Sequence, residues 1–395
     1  GSWLLTIGAY WFQNKGWSGS DFGAIFSTMG IASLFMPALA GIVADRWINS
    51  ERLYGCFHLI GAGILFYIPN VDDPKTMFTA MLVSMMFYMP TLSLASSISY
   101  SCLKGANLDV VKEFPPIRVW GTVGFIAALW FISLTGLETS AGQFYVASAA
   151  SFLLGLYSFS LPSCPPLAKN TEGSFMDAIG LSAFSLFKNP QMALFFFFAI
   201  LLGAALQLTN AYGDTFLHDF ASLSEHKDSF AVKYPAVILS ISQISETLFI
   251  LAIPFFLKHF GIKKIMLISM LAWVLRFGLL AFGNPSGGLW MIVLSCIVYG
   301  IAFDFFNISG SLFVEGQVEP RMRASGQGLF VMMSNGVGAV FGSRMSGLLI
   351  DNYFMSEGHF NWQGIWLSFA AYAGIIALLF LLLFRQPSPK NPLPN

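Results

Sequence analysis

The amino-acid sequence predicts an all-α integral membrane protein of twelve transmembrane helices, arranged as two halves of six. Three observations carry that prediction. Of 395 residues, 56% are apolar and only 10% charged, far below the quarter or so that a water-facing surface carries. The apolar residues come in long continuous runs rather than the alternating pattern of a barrel strand, and a bilayer admits only structures that close their own backbone hydrogen bonds. Finally, the basic residues segregate to alternate connections, as helices threading back and forth through a membrane do.

A span needs about 20 mostly apolar residues. The stretch from Trp3 to Phe12 is apolar but too short, and is expected to be the remainder of a first helix truncated at its start. Spans are then expected at 20–44, 53–70, 76–102, 115–136 and 141–161. After a polar interruption they resume at 190–213, 235–257, 264–283, 288–312, 325–350 and 362–384. The interruption, Pro162 to Asn189, holds Ser163-Cys164-Pro165-Pro166 and Lys169-Asn170-Thr171-Glu172-Gly173, both loop chemistry. The expected organisation is an N-terminal half over 1–161, a central cytoplasmic loop over 162–189, a C-terminal half over 190–385 and a tail over 386–395.

Charge placement tests the count. With the N-terminus assigned to the cytoplasm, thirteen Lys and Arg fall on the cytoplasmic side, among them Arg46, Arg52, Lys104, Lys188, Lys263 and Lys264. Four fall outside (Lys15, Lys75, Lys227, Lys233), and Arg118, Arg276 and Arg344 lie in or near spans. So uneven a split supports the even number of helices and places both termini in the cytoplasm.

Composition also excludes classes. A net charge of zero gives no reason to expect a nucleic-acid partner. Cys56, Cys102, Cys164 and Cys296 lack CxxC or Cys/His spacing, so neither a disulfide framework nor a metal site is expected. No P-loop, dinucleotide fingerprint or nucleophile elbow occurs, so neither an enzyme nor a cofactor is expected. The first residues do not read as a signal peptide.

Two polar constellations stand out in the N-terminal half. Gly41-Ile42-Val43-Ala44-Asp45-Arg46 ends the second span; the glycine would allow close helix approach, Asp45 a helix cap, and Arg46 a pairing across the loop. Arg118, Thr122 and Phe125 are spaced by four and three and share one helical face. A planar guanidinium for hydroxyls or carboxylates would sit two turns from an aromatic plate, with Gly121 and Gly124 thinning the helix for tight packing. Alternatively, Arg118 is one more cytoplasmic positive charge.

In the C-terminal half, Gln207 and Asn210 lie three apart, as do Gln243 and Glu246, and Asp304 stands among Phe303, Phe305 and Phe306. A carboxylate within a span costs several kcal/mol unless paired or protonated, and is a functional site by default. A carboxyl desolvated by such neighbours takes up a proton more readily, which suits a proton carrier. Arg276 would be a counter-charge for Asp304 or for Glu246, and a purely structural ion pair remains the alternative. Asp214, near an outer helix end, is expected in solvent, and His58 has only Tyr54 as a polar neighbour on its own helix.

The Gly41–Arg46 stretch resembles the GxxxDR loop signature of the major facilitators, and Arg118–Phe125 resembles the arginine–glycine–aromatic pattern of the lactose permease and its relatives. A more specific resemblance runs through nearly the whole chain. Gly1-Ser2-Trp3-Leu4-Leu5-Thr6, Phe35-Met36-Pro37-Ala38-Leu39, Tyr88-Met89-Pro90-Thr91-Leu92 and Phe114-Pro115-Pro116-Ile117-Arg118-Val119-Trp120-Gly121-Thr122 are similar to the nucleoside:proton symporter family, as are the stretches 241–249 and 302–311.

That resemblance implies a major facilitator fold and import of nucleosides such as uridine and adenosine, driven by the proton gradient across a bacterial inner membrane. Two halves would rock about a site near mid-membrane. Carried onto matching positions, it implies substrate contacts from Arg118, Thr122, Phe125, Gln207, Asn210, Gln243, Glu246, Phe303 and Asp304. Proton coupling would fall to Asp304 with Glu246, and gating to Gly41, Asp45 and Arg46. The implied partners are a nucleoside, protons and membrane lipid, with the chain a monomer. Ala205 and Arg344 depart from the best-known members, which carry an acidic and an apolar residue there. A sugar symporter on the same fold and a non-transporting membrane sensor are the alternative functions.

Overall fold

A computed structural model of the chain describes residues 3–108, 110–166, 181–223, 225–318, 323–356 and 359–385. Most of the expected central loop, the tail, Gly1 and Ser2 lie outside the described residues, as do the side chains of Asp45 and Arg118. Among the described residues, twelve helical segments of nine residues or more follow one another. They are α1 (7–15), α2 (Gly19–Arg46), α3 (Ser50–Tyr67), α4 (Pro74–Gly105), α5 (Val110–Leu134) and α6 (Gly142–Ser158). After a short 3-10 stretch, Leu181–Lys188, come α7 (Pro190–Asp219), α8 (235–260), α9 (262–282), α10 (Leu289–Gln317), α11 (323–354) and α12 (Trp362–Leu383). The only strands among the described residues are the two-residue pair Met355–Ser356 and His359–Phe360. Helix α8 runs into α9 with one break, Gly261 at φ +73°, a backbone geometry that glycine adopts without penalty. The long low-charge helices have mean hydropathies of 1.3 to 2.3, so the chain is a multi-pass membrane protein.

The chain divides into two compact units, one running to residue 181 without 18–26, and the other comprising 18–26 and 182–395. In the first unit the tightest helix pair is α3 with α6. Ser148, Ser151, Gly155 and Ser158 recur at helical spacing, and small residues let backbones approach. Ser148 donates to the Ala62 carbonyl (2.7 Å), Ser151 to that of His58 (2.9 Å) and Ser158 to that of Glu51 (2.5 Å). A Cβ on Gly55 would lie 3.0 Å from the Gly155 carbonyl. The Glu51 carboxylate is buried and accepts from the Cys164 amide (2.9 Å) and the Asn49 side chain (3.1 Å), which pins the start of the central loop to the N-terminal end of α3.

Residues 3 to 11 are largely buried. Thr6 donates to Gln143 Oε1 (2.8 Å), and the rings of Trp3 and Tyr10 meet Phe144. This segment is therefore a packed bundle helix despite its short apolar run. His58 meets the Tyr54 ring on its own helix and finds a further partner on α6, where Nδ1 lies 3.0 Å from Ser151 Oγ.

In the second unit α7 is the central element, and nearly all of its side chains from Leu202 to His218 are buried. It crosses α11 at a run of small residues. A Cβ on Gly338 would meet the Ile200 carbonyl at 2.5 Å and Gly203 Cα at 3.0 Å, and one on Gly342 would meet Ala204. At this crossing Met332–Gly338 forms a π-helical turn. Asp214 does not sit in solvent as the sequence suggests: it is buried beside His218, whose Nδ1 is 3.5 Å from its Oδ2. A buried carboxylate requires such a partner.

The first turn of α2 belongs to this unit because Gly19 and Gly23 pack onto α11. Cβ atoms there would collide with Asp351 and with the Ser343 carbonyl. The Asp351 carboxylate accepts from the amides of Gly19 (2.9 Å) and Ser20 (2.6 Å), capping a helix N-terminus whose amides have no intrahelical acceptor. Asp351→Ala is expected to cost about 0.5–2 kcal/mol locally, the usual value of a cap. Hydrogen exchange at Gly19 and Ser20 should accelerate, and unchanged exchange would remove the cap from the argument.

Candidate functional site

Helices α7, α8, α9 and α10 of the second unit carry the intramembrane polar residues. On α10, Asp304 is 3% exposed, and its neighbours Phe305 and Phe306 are also buried. Phe305, the next residue along the helix, packs with Ile253 of α8 and Ile265 of α9. The residue before it, Phe303, stacks nearly parallel on Tyr299 one turn back, with centroids 5.6 Å apart at 5°. Tyr299 is itself buried, and the Arg276 guanidinium of α9 lies over its ring.

Arg276 pairs with neither acid, contrary to both possibilities raised by the sequence. Its guanidinium lies 4.6 Å from the Tyr299 ring centre, and Nη1 donates to the Ser295 carbonyl at 2.7 Å. Ser295 Oγ returns a bond of 3.2 Å to the Arg276 carbonyl. A cation–π contact and a carbonyl hold a buried cation without consuming a carboxylate. Neither Glu246 nor Asp304 is thereby committed to a salt bridge with this arginine.

On α7, Gln207 is 2% exposed, and its Oε1 meets no hydrogen-bond donor among the described residues. A buried carbonyl oxygen left so is costly and asks for a ligand or water. Asn210, three residues on, is half-buried, as is Gln243 of α8, with Glu246 one turn further along that helix. The α8 face next to them is held against α10 by Ser245, which donates to the Ile297 carbonyl, and by Gly300, where a Cβ would strike the Ser245 backbone.

In the first unit, Thr122 is half-buried on α5 and Phe125 lies one turn further along it. Arg118 is helical, but its side chain lies outside the described residues. Among the described residues, nothing packs tightly on Gly121 or Gly124: a Cβ on either would meet no atom within 4 Å, and the same holds for Gly41. Arg46 is half-buried at the end of α2, and the Asp45 side chain lies outside the described residues.

Sequence reasoning missed Tyr299. The signal was present, because Tyr299 precedes Phe303 by four residues and so shares its helical face. A tyrosine in an aromatic-rich span carries no desolvation alarm of its own, and only the approach of α9 to α10 marks it.

Helices α7 to α10 carry a buried carboxyl, a second acid, three side-chain amides and a stacked aromatic pair. The chain matches the family described as nucleoside H+ symporter over residues 1–389. It is 54% identical to xanthosine permease of Escherichia coli (strain K12) over 386 residues, covering 98% of this chain and 92% of that protein. It is 49% identical to nucleoside permease NupG of the same organism, over 99% of this chain and 94% of the other. A crystal structure of nucleoside transporter NupG superimposes with a TM-score of 0.92, covering 97% of this chain and 95% of that one.

Proposed function

Because this chain belongs to the nucleoside H+ symporter family, a family of transporters and not of enzymes, we propose that it imports nucleosides with protons across the bacterial inner membrane. Its major facilitator fold works by alternating access, in which a bound substrate is exposed to one face of the membrane at a time. The observation that carries the coupling half of this reading is Asp304, buried on α10 with Arg276 engaged elsewhere. A carboxyl in that position is neutral when protonated and strongly disfavoured when charged. Protonation from outside favours nucleoside binding, and opening to the cytoplasm releases both. Glu246 is the second proton-responsive group.

Gln207, Asn210, Gln243 and Glu246 supply the donors and acceptors that a ribose and a base edge require, and Phe303 supplies a face for the base. Arg118, Thr122 and Phe125 are the corresponding set of the first unit. Gly41, Asp45 and Arg46 belong to the gating loop. The positive-inside split supports cytoplasmic termini, and the transporting unit is a monomer.

The test is uptake of radiolabelled uridine into vesicles with an imposed inward proton gradient, with and without a protonophore. The expected result is accumulation that collapses when the protonophore is added. Uptake that merely equilibrates, indifferent to the gradient, would remove the symport reading.

A further inference from the structure

The first unit contains a cavity between α3, α4 and α6 that is lined by none of the proposed transport residues. Its walls are mostly apolar, and its polar side chains are His58 of α3, Ser84, Tyr88 and Thr91 of α4, and Ser151 of α6. It leaves about 30 Å³ for the centre of a water molecule, where about 10–15 Å³ on the same measure holds one. One or two waters fit, and a nucleoside does not.

His58 fixes what such a water would meet. The residue is only 9% exposed. Ser151 Oγ lies 3.0 Å from its Nδ1 and donates its own hydrogen to the His58 carbonyl at 2.9 Å. A hydroxyl has one hydrogen, so the hydrogen between Nδ1 and Oγ belongs to the ring. A neutral imidazole carries one N–H, and with that hydrogen on Nδ1 the other nitrogen, Nε2, is a bare acceptor. No carboxylate lines the cavity to hold a charged imidazolium. The titratable groups around the ring are phenols: Tyr54, with ring centroids 4.5 Å apart, and Tyr88, which shares the cavity.

The Nε2 atom is buried and meets no donor among the described residues, and a buried polar atom left so is costly. Ser84 is buried as well, and its hydroxyl makes no hydrogen bond among the described residues. Thr91 gives its hydrogen to the Tyr88 carbonyl at 2.6 Å, so its oxygen is left to accept. An acceptor on α3 and hydroxyls on α4 are the kind of partners, two to four in number, that an internal water needs.

We infer that this cavity is an internal hydration site: it binds one or two ordered waters that donate to His58 Nε2 and join α3 to α4, as Ser151 joins α3 to α6. The water is part of the packing of the first unit and stands apart from the nucleoside and proton path. The ring is held as the Nδ1–H tautomer by Ser151, which is what keeps Nε2 open to the water.

The experiment is 15N NMR of the full chain, labelled at histidine, in lipid nanodiscs. The chain has five histidines, and the His58 signals are those lost in His58→Asn. Nδ1 is expected to carry the hydrogen, and Nε2 to be unprotonated yet to gain signal by transfer from water protons. In Ser151→Ala the ring loses the acceptor for Nδ1–H, and a measurable share of the hydrogen should move to Nε2. If His58→Asn does not insert, Ser151→Ala makes the assignment, because the signals it moves are those of His58.

A wild-type ring with its hydrogen on Nε2 would overturn the inference, and so would a charged ring. A bare Nε2 that receives nothing from water would mean a dry cavity and overturn it equally. A ring unaltered in Ser151→Ala would remove the hydrogen bond from which the tautomer is deduced, and the inference with it.

Discussion

Vesicles carrying Asp304→Asn are expected to exchange nucleoside across the membrane but not to concentrate it. An inward gradient of about one pH unit is worth about 1.4 kcal/mol per proton, a tenfold concentration ratio for one-proton symport. Asparagine keeps the size and hydrogen-bonding reach of a protonated aspartate but has no proton to release. The accumulation ratio should therefore fall from about tenfold to about one, while counterflow of labelled against unlabelled uridine persists. Because Arg276 is engaged by Tyr299 and the Ser295 carbonyl, the substitution does not strip that arginine of its partners. A fold defect is thus not the expected outcome. Full accumulation by Asp304→Asn would sink the coupling assignment. Glu246→Gln should reduce accumulation in the same assay without abolishing it.

The second large effect is on folding. Gly338→Val is expected to destabilise the second unit by about 3 kcal/mol or more, the upper end of overpacking costs. The atoms it would strike are the Ile200 carbonyl, Gly203 Cα and the Ala204 amide. These are backbone atoms, which cannot rotate away as a side chain does. At Gly328, on the same long helix, an added Cβ would meet nothing within 4 Å. Gly328→Ala should be neutral or stabilising by about 0.5–1 kcal/mol. Thermal unfolding of the purified protein in detergent checks both, and equal melting of Gly338→Val and wild type would refute the tight crossing.

Much of the architecture is legible in the chain alone. Lipid imposes a length of about 20 apolar residues per span and a bias on loop charge, and both are one-dimensional signals. Lipid also makes polar residues within spans conspicuous, so Gln207, Gln243, Glu246 and Asp304 stand out from their neighbours without any knowledge of the fold. Phe303 enters only through the family resemblance, since one phenylalanine among forty-one has nothing to distinguish it.

What composition and spacing determine, then, is where this chain meets lipid and which of its side chains do not belong there. What only the tertiary structure decided is which group answers which. Gly41, Gly121 and Gly124 have the spacing of packing glycines but meet nothing close among the described residues, while Gly203, Gly338 and Gly342 form the close crossing. Arg276 has the position of a counter-ion but rests on Tyr299. Asp214 lies near a helix end yet is buried beside His218, and His58, which has only Tyr54 beside it on its own helix, faces Ser151. The reason is common to all of them. Outside lipid-facing positions, the environment of a side chain is set by helices that lie far away in the chain, and helical periodicity specifies a face without specifying what that face meets.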